Sequence, residues 1–210
     1  GGRWWTSRQL TTRNWRPSTI LAPRGTGIGT PGTQRCDGSP GISTTVPPPP
    51  QPTVIAPLTG LPVPADAVAR NAIVSKIDAS APAMPQVGLD QADMVMEVKI
   101  EFGLSRYLAV FHSQQPTIIG PHRSARTTDP DLLSMYGHPL FAFSGANPGV
   151  VDRLAATTWK TGVGPGEVPR AWLRDLSRPF PHNLFAAPEV LRSRPAPALY
   201  PVPRFFYRQP

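Results

Sequence analysis

The sequence holds a single cysteine, Cys36, which excludes an internal disulfide and a cysteine-based metal cluster. Acidic residues are scarce: 13 Asp and Glu stand against 21 Lys and Arg, giving a formal net charge of +8. No run approaches the ~18 apolar residues that a membrane span needs. Nothing ahead of Cys36 forms the apolar stretch of a signal peptide or a lipoprotein signal. The four histidines, His112, His122, His138 and His182, show no His-x-x-x-His spacing, so no metal site is expected. Gly25-Thr-Gly-Ile-Gly29 has neither a strand before it nor a helix after it, so it is no dinucleotide fingerprint and no cofactor is expected.

Proline and glycine, by contrast, are abundant, with 29 and 18 residues placed unevenly along the chain. Residues 1–50 carry six arginines and one acid, Asp37, so this arm supplies +5 of the formal charge and the remainder is nearly neutral. The Gly-rich 25–32 stretch and Pro47-Pro-Pro-Pro50 leave too few apolar side chains to offset the entropy of ordering. Residues 1–56 are therefore expected to be a disordered, basic, Pro-rich arm whose proline run acts as an extended spacer. Trp4, Trp5 and Trp15 among the arginines offer stacking and charge for nucleic acid. The arm has no repeated basic spacing, so specific nucleic-acid binding is not expected.

From Pro57 the composition changes, and residues 57–195 read as one α+β domain: a mixed, mostly antiparallel sheet with a few short helices. Asn71–Asp78 reads as a strand that ends on an acid. Residues 81–88 are loop because of Pro82 and Pro85, and 89–93 form one helical turn. In Met94–Glu101 an apolar face alternates with Val95, Glu97, Lys99 and Glu101, and a short turn at 102–104 joins it to a second strand, Ser105–His112. A cap before Pro130 predicts a helix from there to Tyr136, stopped by Gly137. Leu140–Ser144 reads as a buried strand leading into a helix over 149–157. Residues 160–181 are expected to be loop anchored by Trp172, and 188–194 a short helix. The Pro-rich tail, 196–210, ends in aromatics that normally pack against something, and is read as the start of a second domain.

Six collinear segments carry a resemblance. They are Pro57–Val63, Lys76-Ile-Asp78, Pro85–Asp93, Glu101–Phe111, Ile119-Gly-Pro-His-Arg-Ser-Ala-Arg126 and Arg174-Asp-Leu-Ser-Arg-Pro-Phe-Pro-His-Asn-Leu184. Together they resemble the N-terminal domain of the YerB-like bacterial lipoproteins, domain of unknown function family 3048. The resemblance implies an extracytoplasmic protein with an N-terminal lipid anchor, a spacer, this domain and a second domain, and it assigns no activity. Residues 1–45 match no lipobox and the second domain is missing, so the chain is expected to be incomplete at both ends.

Several polar residues invite a site. Arg123 and Arg126 sit three apart before a helix, and planar guanidiniums from a loop bind carboxylate or phosphate bidentately. Their own domain supplies the alternative partners Asp78, Asp90, Asp93, Glu97 and Glu101, which favours internal pairing; one arginine is expected to be structural and the other to face a cleft. Glu97 and Glu101, on one strand face about 13 Å apart, are too distant to act on one bond. His182-Asn183 offers a base or ligand, or merely a loop cap. Ser144-Gly-Ala-Asn147 follows a strand and opens a helix, yet Ala142 replaces the glycine of a nucleophile elbow. The expectation is a non-enzymatic binding or scaffolding domain at the outer face of the membrane. Its polar groove is built from Asp78, Arg123, Arg126, Ser144, His182 and Asn183, and its partner is an anionic envelope component or an envelope protein. The competing reading is an envelope hydrolase or transferase using His182 with Asp78 or Glu101.

Overall fold

A computed structural model describes residues 52–205 and 207. The basic arm expected over residues 1–56 lies almost wholly outside the described residues. At the start of the described chain β1 (Thr53–Ile55) and β2 (Pro62–Pro64) form a small antiparallel ribbon, followed by the one-turn helix α1 (Ala65–Val68).

The body of the domain is a five-stranded sheet. β3 (Ile73–Asp78) pairs antiparallel with β5 (Ser105–Phe111), and β5 pairs antiparallel with β4 (Met94–Lys99) at the sheet edge. Between these strands lie a proline-bearing 3-10 turn at 81–83 and a second 3-10 turn at 89–91, where 89–93 was expected to turn once. The chain then forms α2 (Asp129–Leu133), which runs on as a 3-10 turn through Tyr136 and stops at Gly137 with φ +72°. β6 (Leu140–Ala142) adds to the other side of β3 in parallel, and Asn147 caps α3 (Pro148–Ala156) by accepting from the Val150 N–H at 3.0 Å. β7 (Thr161–Gly162) completes the sheet beside β6, also in parallel. The chain is thus of the α+β class: the mixed sheet has two antiparallel and two parallel pairings, and the two small ribbons make antiparallel pairing the more frequent across the described residues.

Residues 160–181, expected to be loop, instead contain two short strands, β7 and a second one. β8 (Trp172–Arg174) pairs antiparallel with β9 (Leu184–Ala186), and α4 (Pro188–Leu191) follows. A three-residue strand carries too short an alternation to be read from sequence, and tertiary pairing decides it. Trp172 is the anchor expected of it: its Nε1 donates to the Val163 carbonyl at 3.1 Å and its ring meets His122 edge-on, 4.7 Å between centroids.

β3 is buried along its whole length because both faces of the sheet are covered. On one face Ile73, Ile77 and Phe111 pack with Ile119, Val168, Ala186 and Leu191. On the other, Val74, Leu108 and Val110 pack with Leu133, Tyr136, Val150 and Leu154 of the α2 and α3 region. β4 keeps the alternation of an edge strand, Val95, Glu97 and Lys99 exposed and Met94, Met96 and Val98 turned inward. It ends at Lys99, so Glu101 does not share its face with Glu97 as expected: Glu101 opens the 3-10 turn of the hairpin, where Phe102 adopts φ +61°.

A buried strand with lysine at its centre requires a partner. Lys76 Nζ donates to Asp129 Oδ1 at 2.7 Å, with both side chains inaccessible to solvent. The other carboxylate oxygen of Asp129 accepts the Arg126 backbone N–H at 2.8 Å, so one acid ties β3, the 119–126 segment and α2 together. The tail beyond Arg194 returns to the same body. Asn71 Nδ2 donates to the Pro197 carbonyl, the His138 N–H donates to the Leu199 carbonyl, and the Tyr207 hydroxyl reaches the Pro57 carbonyl.

Candidate functional site

The site forms at the carboxyl ends of the parallel neighbours β3 and β6, β3 running on past the last β6 pairing at Ser75. Adjacent parallel strands deliver their following residues to a common rim, and open mixed sheets bind ligands outside those carboxyl ends. Asp78 is the last residue of β3, and Ser144 lies two residues beyond the end of β6.

A third segment, 119–125, is laced onto both strands by its backbone. The Asp78 N–H donates to the Pro121 carbonyl at 2.9 Å and the Arg123 N–H to the Lys76 carbonyl at 2.9 Å. The Ser144 N–H in turn donates to the Arg123 carbonyl at 3.0 Å. A fourth, β9, closes the arrangement: the His122 N–H donates to the Leu184 carbonyl at 2.6 Å. Gly120 has φ +148°, and a Cβ there would lie 2.7 Å from the Phe185 ring, so only glycine lets the 119–125 segment and β9 approach this closely.

Asp78 is the hub. Its Oδ2 accepts from His182 Nδ1 at 2.7 Å and faces Arg123 Nε at 3.5 Å. Its Oδ1 accepts from the Ser80 hydroxyl at 2.7 Å and the Ser80 N–H at 3.0 Å. Burial alone would raise this carboxyl, but the Ser80 hydrogen bonds, the His182 contact and the Arg123 charge outweigh it and hold the pKa below the usual carboxylate range. On β5, Arg106 lies directly across from Asp78 and donates to the Ser124 carbonyl at 2.6 Å. Burial, together with the charges of Arg126 and Arg123, lowers the Arg106 guanidinium to about 10.

Next to this hub is a cleft of about 210 Å³ lined by Arg123, Ser124, Ser144, Arg174, Phe180, Pro181 and Leu184. The Arg123 side chain is partly exposed, and its Nη1 is buried without a hydrogen-bond partner among the described residues. Arg174, at the end of β8, donates from Nη1 to Asn183 Oδ1 at 2.7 Å and stacks its guanidinium over Phe180, 5.2 Å from the ring centroid.

The structure therefore brings Asp78, Arg123, Ser144, His182 and Asn183 into one neighbourhood, in different positions. Arg123 and Ser144 line the cleft; Asp78 and His182 do not, and Asp78 meets it through Arg123. Asn183 is buried and holds Arg174. Arg126 is not brought to the cleft: its Nε donates to Glu101 Oε2 at 2.7 Å beside the β4–β5 hairpin. Arg174, Ser124 and Phe180 escaped the sequence reading, since their convergence rests on the short β8–β9 ribbon. The one signal available was that Arg174 and Phe180 fall in the same segment as His182 and Asn183.

Residues 58–198 match a family described as "Protein of unknown function (DUF3048) N-terminal domain". The chain belongs to this family. It is 33% identical over 140 residues to the Bacillus subtilis (strain 168) protein named "Putative lipoprotein YerB", covering 65% of this chain and 41% of that one. The crystal structure of the YerB protein from Bacillus subtilis is similar at a TM-score of 0.59 and 28% identity, over 67% of this chain and 48% of that chain. The chain thus spans less than half the length of the relative it matches. Among the described residues no helix is long and apolar enough to cross a membrane, and no group of three or more His, Cys, Asp or Glu could hold a metal ion.

Proposed function

We propose that this family domain is a binding module of an envelope lipoprotein, held outside the cytoplasmic membrane, whose cleft takes an anionic group of an envelope component or partner protein. The observation that carries this reading is that two guanidiniums, those of Arg123 and Arg174, line one small cleft together with Ser124 and Ser144. Guanidiniums that line a cleft bind a carboxylate or phosphate through charge-assisted, planar hydrogen bonds. Arg174 adds a second cation across the same cleft, and the hydroxyls of Ser124 and Ser144 add donors. Asp78 divides its charge among His182, Ser80 and Arg123, at 3.5 Å from the last, so it does not fully neutralise that guanidinium. The relative's name supports the envelope location.

The direct test is titration of the full chain with inorganic phosphate at low ionic strength, following the backbone amides of Ser124 and Ser144 by NMR. Saturable shifts that disappear in Arg123→Gln and weaken in Arg174→Gln are expected. Unchanged affinity in Arg123→Gln would overturn the reading.

A second reading, proton transfer by His182, draws on the 2.7 Å contact with Asp78, which orients the imidazole as a carboxylate orients a general base. Nε2 of His182 has no protein partner among the described residues, so it is the nitrogen available for chemistry. Against it, no hydrogen bond joins His182 to Ser144 among the described residues, and His182 does not line the cleft. Binding without catalysis is the reading this arrangement favours.

A further inference from the structure

Beside its arginines the cleft is lined by apolar residues, Phe180, Pro181 and Leu184. Phe180 is 75% exposed although it lines the cleft, and Leu176 in the same β8–β9 connection is 73% exposed. An exposed aromatic ring inside a polar cleft is surface that a ligand can cover. Arg174 binds the two halves of the cleft together: one guanidinium both faces the anion space and packs over the Phe180 ring at 5.2 Å. That contact fixes the ring, and Pro181 next to it stiffens the wall further.

We infer that the cleft recognises a phosphorylated saccharide unit, its phosphate held between Arg123 and Arg174 and one apolar face of its sugar ring laid against Phe180. The inference rests on the anion-binding reading and adds the organic half of the ligand. Size decides between candidates. At about 210 Å³ the cleft lies below the roughly 300 Å³ from which sites for larger small molecules begin, so it suits a phosphate with one saturated ring better than a nucleotide. Chemistry agrees: sugar rings present C–H faces to aromatic walls, while their hydroxyls reach donors and acceptors such as Ser124 and Ser144.

The test compares inorganic phosphate, glycerol 3-phosphate, glucose 1-phosphate, glucose and AMP on the full chain at one ionic strength, by calorimetry and by the Ser144 amide shift. Phosphate and its sugar ester carry similar charge near neutrality, so the difference between them reports the ring. Glucose 1-phosphate is expected to bind at least tenfold more tightly than inorganic phosphate, with glycerol 3-phosphate close to phosphate and glucose alone not binding. Phe180→Leu, which keeps apolar bulk without a ring face, is expected to erase the tenfold ratio between glucose 1-phosphate and phosphate affinities. Phe180→Tyr is expected to keep the gain. Equal affinity for phosphate and glucose 1-phosphate, a gain that survives Phe180→Leu, or tighter binding of AMP would overturn the saccharide assignment while leaving anion binding intact. Absence of phosphate binding would overturn both.

Discussion

Asp78 and His182 stand 104 positions apart in the chain, yet their side chains meet at 2.7 Å. The contact requires two independent anchors. β3 carries Asp78 out of the sheet, and β9 brings the 180–184 segment back against the 119–125 segment. The carboxylate accepts at Nδ1, which places the proton of the neutral imidazole on that nitrogen and leaves Nε2 as its lone-pair side.

Removing the carboxylate should therefore change a tautomer before it changes a fold. In Asp78→Ala the nitrogen-15 shifts of neutral His182 are expected to lose the Nδ1–H signature seen in the native protein. The contact has a defined acid limit. Because the folded pKa of Asp78 is lowered, its stabilisation is present above the ordinary carboxylate pKa and is lost as pH falls through the lower folded value. An Nδ1–H signature that persists in Asp78→Ala would show that Ser80, 3.2 Å from the same nitrogen, sets the tautomer instead.

The two arginines of the 119–126 segment should respond differently to truncation. Arg126 pairs with Glu101, whose side chain is about half exposed, so Arg126→Ala is expected to cost no more than about 1 kcal/mol in urea denaturation. Arg123→Ala removes one of the charges that hold the buried Asp78 carboxylate ionised, and is expected to cost about 1–3 kcal/mol while phosphate binding is lost. Unfolding in both variants would remove the basis for separating their roles.

Lys76 and Asp129 form the buried charge pair of the core, and burial pushes the lysine pKa down while Asp129 pulls against it. Lys76→Met strands the carboxylate of Asp129, and a loss of about 3–5 kcal/mol is expected. The double variant Lys76→Met with Asp129→Asn should recover more than half of that loss, because no net charge is then left in the core. Chemical denaturation of the three proteins measures the coupling; a single-variant cost below about 1 kcal/mol would mean that water reaches the pair.

His122 supplies a pH dependence of opposite origin. It is wholly buried against Trp172 with both ring nitrogens unpartnered among the described residues, and burial depresses its pKa to about 3. Between the ordinary value near 6.5 and about 3 the unfolded chain binds a proton that the folded domain refuses. Stability should consequently fall as pH drops through that window, by up to about 1.4 kcal/mol per unit from this residue. Denaturation of the native chain and of His122→Phe at pH 7, 6 and 5 checks this, and the variant should show the flatter slope.

The legible parts of the fold were those with a long local pattern. Met94–Lys99 shows a strand because its alternation is real and half-exposed, and the helix read over 149–157 corresponds to α3, whose Asn147 cap the structure adds. The β8–β9 ribbon stayed hidden because three residues per strand carry no period, and its pairing is fixed by Trp172 packing and by the Arg174–Asn183 hydrogen bond. Of the site, Asp78, Arg123, Ser144, His182 and Asn183 were recognisable as polar groups at strand ends and loops. Arg174 and Phe180 were not, since nothing local distinguishes a cleft-lining arginine from a solvated one.

The sequence by itself determined the family, the α+β class and the identities of most of the polar groups, because these follow from residue type and short-range spacing. Only the tertiary structure decided which guanidinium faces the cleft and which is paired away. That choice depends on where Glu101 and Asp78 fall in three dimensions: the hairpin turn carries Glu101 to Arg126, while β3 stops with Asp78 beside Arg123. Charge pairing is a matter of distance through space, and strand register and backbone lacing set that distance after the chain has folded.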